Sequence, residues 1–286
     1  MPDFAVAIVL GLLQGVTEFF PVSSSAHLEV VPWLAGWDLF DGDNELENAF
    51  DVALHVGTLV GAAVYLRADI ARYAKALWSG IRGRAEPDTV VALSLALSAV
   101  PAALVGVTLE DRLLDLAERP LLIAALLAGF GGLLWWSDAS ATRRGAQRSQ
   151  HSYGLRDAAG MGLAQAAALL PGVSRSGVSI TAGRWLGFDR AAAARLAFLM
   201  SLPLIGGAGV YRSFTLADAA PTGAQLQLFI VGGAAAVVSS WAGVAAMVWL
   251  LDRTSRAPQR SPFAWFAGYR VALAAAVAVV AISGLR

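Results

Sequence analysis

Six segments of the chain are long and apolar enough to cross the hydrocarbon core of a membrane as helices, which requires about 20 residues each. The composition agrees with this, because 57 % of the 286 residues are hydrophobic and 15 % are charged, against about 25 % charged residues in an average soluble domain. The pattern therefore predicts an all-α integral membrane protein with six transmembrane helices: Ala49–Leu66, Thr89–Val107, Leu121–Ser137, Ala191–Tyr211, Leu226–Leu251 and Phe263–Ser283.

Two further apolar stretches are each interrupted by a proline and a polar run. Pro21 stops the first and Pro171 the second, since proline does not continue a helix. A short apolar piece follows each break. The two broken stretches cover Phe4–Phe20 with Leu28–Trp37, and Gly160–Leu170 with Val178–Phe188.

Loop charges orient these elements, because Lys and Arg are enriched on the cytoplasmic side of membrane proteins. Counting crossings from three basic clusters makes each broken stretch a re-entrant hairpin. The two hairpins enter from opposite faces, and both termini lie outside. The clusters are Arg67, Arg72, Lys75, Arg82 and Arg84; Arg143, Arg144, Arg148 and Arg156; and Arg253, Arg256 and Arg260.

Hairpins of opposite orientation indicate an inverted-topology repeat. The single membrane domain, 1–286, would consist of halves of about 1–137 and about 152–286 joined by a basic cytoplasmic loop. Broken helices in such repeats bring polar backbone to sites in the middle of the membrane. At an offset of 151 residues, Gly11, Leu12, Gln14, Val22, Ser23 and Ser25 correspond to Gly162, Leu163, Gln165, Val173, Ser174 and Ser176.

Composition excludes several classes of function. The chain has no cysteine, which excludes disulfides, a thiol nucleophile and thiolate metal sites. Its three histidines are scattered, so a three-histidine metal site is not expected. Lys and Arg balance Asp and Glu at 21 each, which argues against a nucleic-acid partner.

Glu18 is the main candidate for chemistry in the first hairpin. Gly11, Gln14 and Glu18 lie on one face of a helix by their spacing, and an acid in such a segment is a functional candidate by default. The alternative is that Glu18 sits at the interface and reaches water. The equivalent position in the second half is Leu169, so the two halves have diverged.

Three serines and a histidine follow the first break. Ser23, Ser24 and Ser25 suit the N-cap of the next helix, whose free N–H groups would attract an anion. Capping alone also explains these serines. His27 is either a structural residue or an acid, base or orienting partner in the chemistry.

Arg175 is the candidate in the second hairpin, between Ser174 and Ser176. No acid lies within ten residues of it on either side, so its guanidinium needs a distant carboxylate or an anionic ligand. A salt bridge to Glu18 and phosphate binding are the two alternatives; Arg is well shaped for phosphate. A site that combined both hairpins would suit a phosphorylated substrate with a lipid tail.

The two break motifs resemble those of the undecaprenyl-diphosphate phosphatase family, the bacitracin-resistance type. The first motif runs from Gln14 to His27 and the second from Pro171 to Ser176. The resemblance extends to the segment around His55 and to the overall length. It implies a plasma-membrane enzyme that removes one phosphate from a C55 polyprenyl diphosphate to recycle a carrier for cell-wall synthesis.

Particular roles follow from this resemblance. It places Glu18, Ser24, His27 and Arg175 at catalytic positions, and it implies a divalent cation, Mg²⁺ or Ca²⁺, for which Glu18 is a candidate ligand. Many members have Glu at the position of Gln14, so a paired-carboxylate site is in question. The expected substrate-binding residues are Gln14, Ser23, Ser25, Ser174, Ser176, Ser179 and Thr181.

The order of events stays open at this stage. Ser24 is either the nucleophile or a phosphate ligand, and His27 with Glu18 would move protons. The rival function is a flippase for polyprenyl phosphate, since the same repeat architecture serves transporters. A degenerate, non-catalytic relative is a third alternative. Membrane lipid, the polyprenyl diphosphate and a second copy in a homodimer are the expected partners.

Overall fold

The computed structural model describes residues 3–84, 86–117, 119–219, 221–255 and 261–283. Within these ranges the chain forms helices, with a 3₁₀ turn at Gln150–Ser152 and no strand. The helices are α1 (Asp3–Phe19), α2 (Ser24–Ala35), α3 (Asn44–Tyr65), α4 (Arg67–Ile81), α5 (Pro87–Leu97), α6 (Val100–Thr108), α7 (Glu110–Ala117), α8 (Pro120–Arg143), α9 (Leu155–Ala167), α10 (Arg175–Trp185), α11 (Arg190–Ala219), α12 (Gly223–Ser255) and α13 (Phe263–Ser283).

Five helical segments of the described chain are long and apolar enough to cross a membrane: Pro87–Thr108, Pro120–Arg143, Arg190–Arg212, Gly223–Thr254 and Phe263–Ser283. The sixth predicted span lies in α3, which qualifies only together with α4, and these two helices are bent by 82°. Acidic residues in the first turn of α3, Glu45 and Glu47, lower its apolar character. The all-helical, multi-pass membrane architecture is confirmed.

The predicted span Thr89–Val107 is broken in two. The α5 helix ends at Leu97 and α6 begins at Val100, because Pro101 has no N–H to donate to the carbonyl group one turn earlier. At the break, the Ser98 hydroxyl donates to the Leu95 carbonyl oxygen at 2.6 Å. Gly162 of α9 packs on this break so closely that a Cβ there would lie 2.7 Å from the Ser98 carbonyl oxygen.

Both predicted breaks are present, and a helix starts at the serine run after the first break, as predicted. The α2 helix begins at Ser24 and α10 begins at Arg175, so polar residues form the first turns ahead of the apolar pieces that start at Leu28 and Val178. The Ser174 hydroxyl accepts from the N–H of Gly177 as an N-cap. The backbone is left-handed just before each helix, with φ of 75° at Ser23 and 71° at Ser174.

The α1 helix packs against α12 through small residues, which let two helices approach closely in a membrane. A Cβ at Gly11 or Gly15 would collide with the backbone of α12. The Ser239 hydroxyl of α12 also donates to the Gly11 carbonyl oxygen at 3.1 Å. The first arm of the first hairpin is therefore fixed against a long, continuous helix.

Ion pairs and hydrogen bonds join the chain segments next to the three basic clusters. Buried Asp138, near the end of α8, pairs with Arg184 and Arg190 at 2.8 Å each. Arg190 also donates to the Thr254 carbonyl oxygen near the end of α12. Arg256 and Arg260 lie outside the described residues. Other such pairs are Arg148–Asp157 at 2.8 Å and Arg195–Asp69 at 3.6 Å.

Candidate active site

A cavity of about 600 Å³ lies where the two helix breaks face α3, α6 and α11. Its apolar wall comes mainly from α6 and α11, with Ala103, Val107 and Ile205 among its residues. Its polar wall comes from both breaks and from α3, α9 and α11: Glu18, Ser23, Ser24, Ser25, Asp51, His55, Gln165, Ser174, Arg175, Tyr211 and Arg212. The cavity is therefore amphipathic, as a site for a lipid with a charged head must be.

Glu18 lies at the junction of the two hairpins and is buried. Its Oε2 atom accepts from the Ser24 hydroxyl at 2.6 Å and from the Gln14 amide nitrogen at 3.1 Å. Its Oε1 atom lies 3.1 Å from Nη2 of Arg175 in the other hairpin. This carboxylate therefore joins the key residues of both breaks.

Arg175 is the first residue of α10. It forms the salt bridge to Glu18, which is one of the two interactions predicted for it. Its other terminal nitrogen, Nη1, is buried and has no hydrogen-bond partner in the described part of the chain. Buried donors are nearly always paired. The free Nη1 group is thus available to an anion in the cavity.

The serines form matching pairs in the two breaks. The hydroxyl oxygens of Ser23 and Ser25 lie 3.2 Å apart, and those of Ser174 and Ser176 lie 3.3 Å apart. Ser176 also donates to the Phe20 carbonyl oxygen at 3.1 Å, which links the hairpins. Ser23, Ser25 and Ser174 line the cavity, while Ser176 faces the opposite break.

His27 is engaged away from the cavity. Its Nδ1 atom lies 2.7 Å from the Ser23 carbonyl oxygen and its Nε2 atom 2.6 Å from the Tyr269 hydroxyl. It is not among the described residues that line the cavity. His55 faces Glu18 instead, with Nε2 3.9 Å from the carboxylate Oε2.

Two further predicted substrate-binding residues are not brought to the cavity. Thr181 donates to the Gly177 carbonyl oxygen of its own helix at 2.8 Å. Ser179 is buried, and its hydroxyl has no partner among the described residues. The α10 helix also contacts α8 here, since the Ser137 hydroxyl donates to the Thr181 carbonyl oxygen at 2.8 Å. Gln14 contacts Glu18 without lining the cavity.

Several polar residues of the region were not singled out from the sequence, among them Asp51, His55 and Arg270. Asp51 and His55 lie four residues apart on α3 and both line the cavity; the i, i+4 spacing puts them on one face. Arg270 of α13 is fully buried beside both breaks. A charged residue in the middle of an apolar span was a signal that would have found it.

The site offers few ligands for a metal ion. Within the described ranges, no group of three or more Asp, Glu and His side chains is placed to hold one. Mg²⁺ commonly keeps several waters and binds through one or two carboxylates together with substrate phosphates. Glu18 fits the role of such a carboxylate ligand, with waters and the substrate phosphates supplying the other oxygen ligands.

Comparison with known proteins identifies the family of the chain. The family described as Bacitracin resistance protein BacA matches residues 7–276. Undecaprenyl-diphosphatases of Geobacter metallireducens and Geobacter sulfurreducens are 41 % and 42 % identical to the chain, over 91 % and 92 % of it and 93 % and 94 % of their own lengths. One of Pelobacter propionicus is 41 % identical over 98 % of the chain and 97 % of its own length. The chain belongs to the BacA family of bacitracin resistance proteins.

Proposed function

We propose that the protein hydrolyses undecaprenyl diphosphate to undecaprenyl phosphate and inorganic phosphate. One structural observation supports this function independently of the names of the relatives. The Glu18 carboxylate, the Ser24 hydroxyl and the Arg175 guanidinium meet at the wall of a cavity whose other wall is apolar. This combination fits a charged diphosphate on a prenyl chain.

Arg175 is the principal phosphate ligand in this proposal. Its Nη2 group stays with Glu18 while the unpartnered Nη1 group donates to a phosphate oxygen. Arginine also stabilises the charge that develops on a phosphoryl group during transfer. The first turns of α2 and α10 add free backbone N–H groups, which favour anions.

Glu18 takes up a proton in either form of the reaction. In one form Ser24 Oγ attacks the terminal phosphorus, its proton passes to Glu18, and the lipid monophosphate leaves; water then releases the phosphate from Ser24. In the other form Ser24 holds the phosphate, and Glu18 accepts the proton of an attacking water. The 2.6 Å hydrogen bond from Ser24 to Glu18 supports the first form most directly.

A divalent cation, Mg²⁺ or Ca²⁺, is part of the proposal. Where Glu18 holds the ion together with phosphate oxygens, it would do so in place of accepting a proton, and the ion would neutralise phosphate charge. His27 has a different part, because its two ring nitrogens contact Ser23 and Tyr269. We assign it to orienting the serine run.

In the membrane, we propose six spans and two re-entrant hairpins in an inverted repeat of the plasma membrane, with both termini outside. The equal left-handed turns at Ser23 and Ser174 support the repeat. The contacts that join the segments next to the three basic clusters support the orientation. Since the chain has no cysteine, a single Cys at position 41 should react with an impermeant maleimide from outside, and one at position 144 should not.

Phosphate release from purified protein tests the function. The protein in detergent should release inorganic phosphate from C55 diphosphate, and EDTA should stop the release. A flippase would move labelled lipid across a vesicle bilayer without releasing phosphate. That outcome would replace the proposed function with transport, but the comparisons and the Glu18–Ser24 contact do not favour it.

A further inference from the structure

Arg270 makes the most unusual set of contacts outside the proposed active site. It lies on the apolar helix α13 and is fully buried. Its guanidinium donates to four backbone carbonyl oxygens: Leu127 at 3.0 Å, Gly172 at 2.7 Å, Val173 at 3.0 Å and Pro21 at 3.4 Å. Among the described residues no carboxylate forms an ion pair with it.

These carbonyl groups belong to both helix breaks. Pro21 lies between Glu18 and Ser24, while Gly172 and Val173 come directly before Ser174 and Arg175. Carbonyl groups at a helix end lack intrahelical donors, so a break has acceptors to offer. One side chain thus holds the backbone on either side of the Glu18–Arg175 contact.

We propose that Arg270 is a positioning residue that sets the distance and register between the two hairpins, so that Glu18 and Ser24 of one meet Arg175 of the other. This inference rests on the proposed function. It explains why a guanidinium is present in an apolar span, where a charge is expensive. The planar group has five donors in fixed directions, while a lysine ammonium has three on a flexible stem.

Tyr269, the residue before Arg270, also connects α13 to the first hairpin. Its hydroxyl contacts Nε2 of His27 at 2.6 Å, and the two rings stack with centroids 5.6 Å apart. His27 in turn contacts the Ser23 carbonyl oxygen. The two consecutive residues of α13 therefore reach the first break at both of its ends.

An Arg270→Lys variant provides the first test. It should lose about 100-fold in kcat, as expected for a small misplacement of catalytic groups, while KM changes little. Arg184→Lys is the matched control, since Arg184 is also buried and bonds a backbone carbonyl, but at the far end of α10. The control should keep kcat per folded molecule even if its unfolding temperature falls as far.

A second pair of variants tests the position of the Arg270 guanidinium without removing its buried charge. A Cβ at Gly131 would lie 3.2 Å from Cβ and 3.4 Å from Nε of Arg270, whereas one at the adjacent Gly132 would meet nothing within 4 Å. Gly131→Ala should push the guanidinium aside and lower kcat about tenfold, by the same effect of misplacement. Gly132→Ala should leave kcat unchanged.

The outcomes separate this inference from the proposed function. Phosphate release by the unaltered protein establishes the function whatever the variants do. With that release measured, a normal kcat in folded Arg270→Lys or in Gly131→Ala would overturn the positioning role. A kcat loss in Gly132→Ala equal to that in Gly131→Ala would overturn it as well.

Discussion

The two helix breaks have the same backbone conformation but carry different chemical groups. Each has a left-handed serine at its break and a pair of serine hydroxyls just over 3 Å apart. The first hairpin carries the buried acid, Glu18, and the second carries the guanidinium, Arg175. Neither break carries both the acid and the guanidinium, so the site requires both breaks.

The glutamines at matching positions before the two breaks have different surroundings. Gln14 donates to Glu18 one turn later. Gln165 is equally buried, but both of its side-chain polar atoms lack partners in the described part of the chain, and the residue four positions later is Leu169 instead of an acid. Gln165 lines the cavity, whereas Gln14 does not.

The largest effect is expected at Glu18. Glu18→Gln keeps the size of the side chain but removes its charge, its ability to accept a proton and one of its two accepting oxygen atoms. Phosphate release should fall at least about 1000-fold, within the range for loss of a general base. Retention of more than about a tenth of the activity, a loss under about 1.4 kcal/mol, would exclude this role.

Arg175 should show the next largest effect. Arg175→Lys keeps the charge but cannot contact Glu18 and a phosphate at once through a planar fork. Activity should fall about 100-fold, comparable to the loss of one strong electrostatic donor. Arg175→Ala should lose at least as much and weaken substrate binding, which KM or direct lipid binding would report. Unchanged turnover in Arg175→Lys would remove the phosphate role.

Gln14 should have a moderate effect. Gln14→Leu removes one hydrogen bond to a buried carboxylate, worth about 1.5 kcal/mol, and should lower activity about tenfold. Gln14→Glu should be tolerated and should increase the affinity for the activating cation, measured by titration of phosphate release with Mg²⁺. A complete loss of activity in Gln14→Glu would contradict this account of the position.

The same substitution in the second half should have the smallest effect on activity. Gln165→Leu removes a buried amide whose polar atoms have no partner among the described residues, so it should raise stability by about 1 kcal/mol. Since Gln165 lines the cavity without a contact to Glu18 in the described structure, phosphate release should fall less than in Gln14→Leu. Thermal unfolding in detergent measures the first effect. A loss of activity as large as that of Gln14→Leu would show that the two glutamines have equivalent roles after all.

Much of the fold could be predicted from hydropathy and loop charge. Spans such as Phe263–Ser283 need no knowledge of their neighbours, because apolarity over a membrane's thickness suffices. The break in α5–α6 was missed, although Pro101 was visible, since a proline in a span often leaves the helix continuous, as Pro203 does in α11. The start of α2 at the serine run was predicted, because serine is a preferred N-cap residue.

The site was predictable only as far as its residues lie in the two breaks. Glu18, Ser24 and Arg175 were found from unusual polarity in apolar stretches, and the structure brings them together. Arg270 and His55 come from other helices, and their contacts depend on how those helices pack. His27 shows the converse, since its place near the serines in sequence does not bring it to the cavity.

A double-mutant cycle tests most directly whether the two hairpins form one site. Phosphate release would be measured for the unaltered protein, for Glu18→Gln, for Arg175→Lys and for the double variant. Groups that act as a unit give strongly non-additive losses, so the double variant should be about as slow as Glu18→Gln alone. Losses that multiply, giving a double variant about 100-fold slower than Glu18→Gln, are the mark of independent sites and would contradict a shared one.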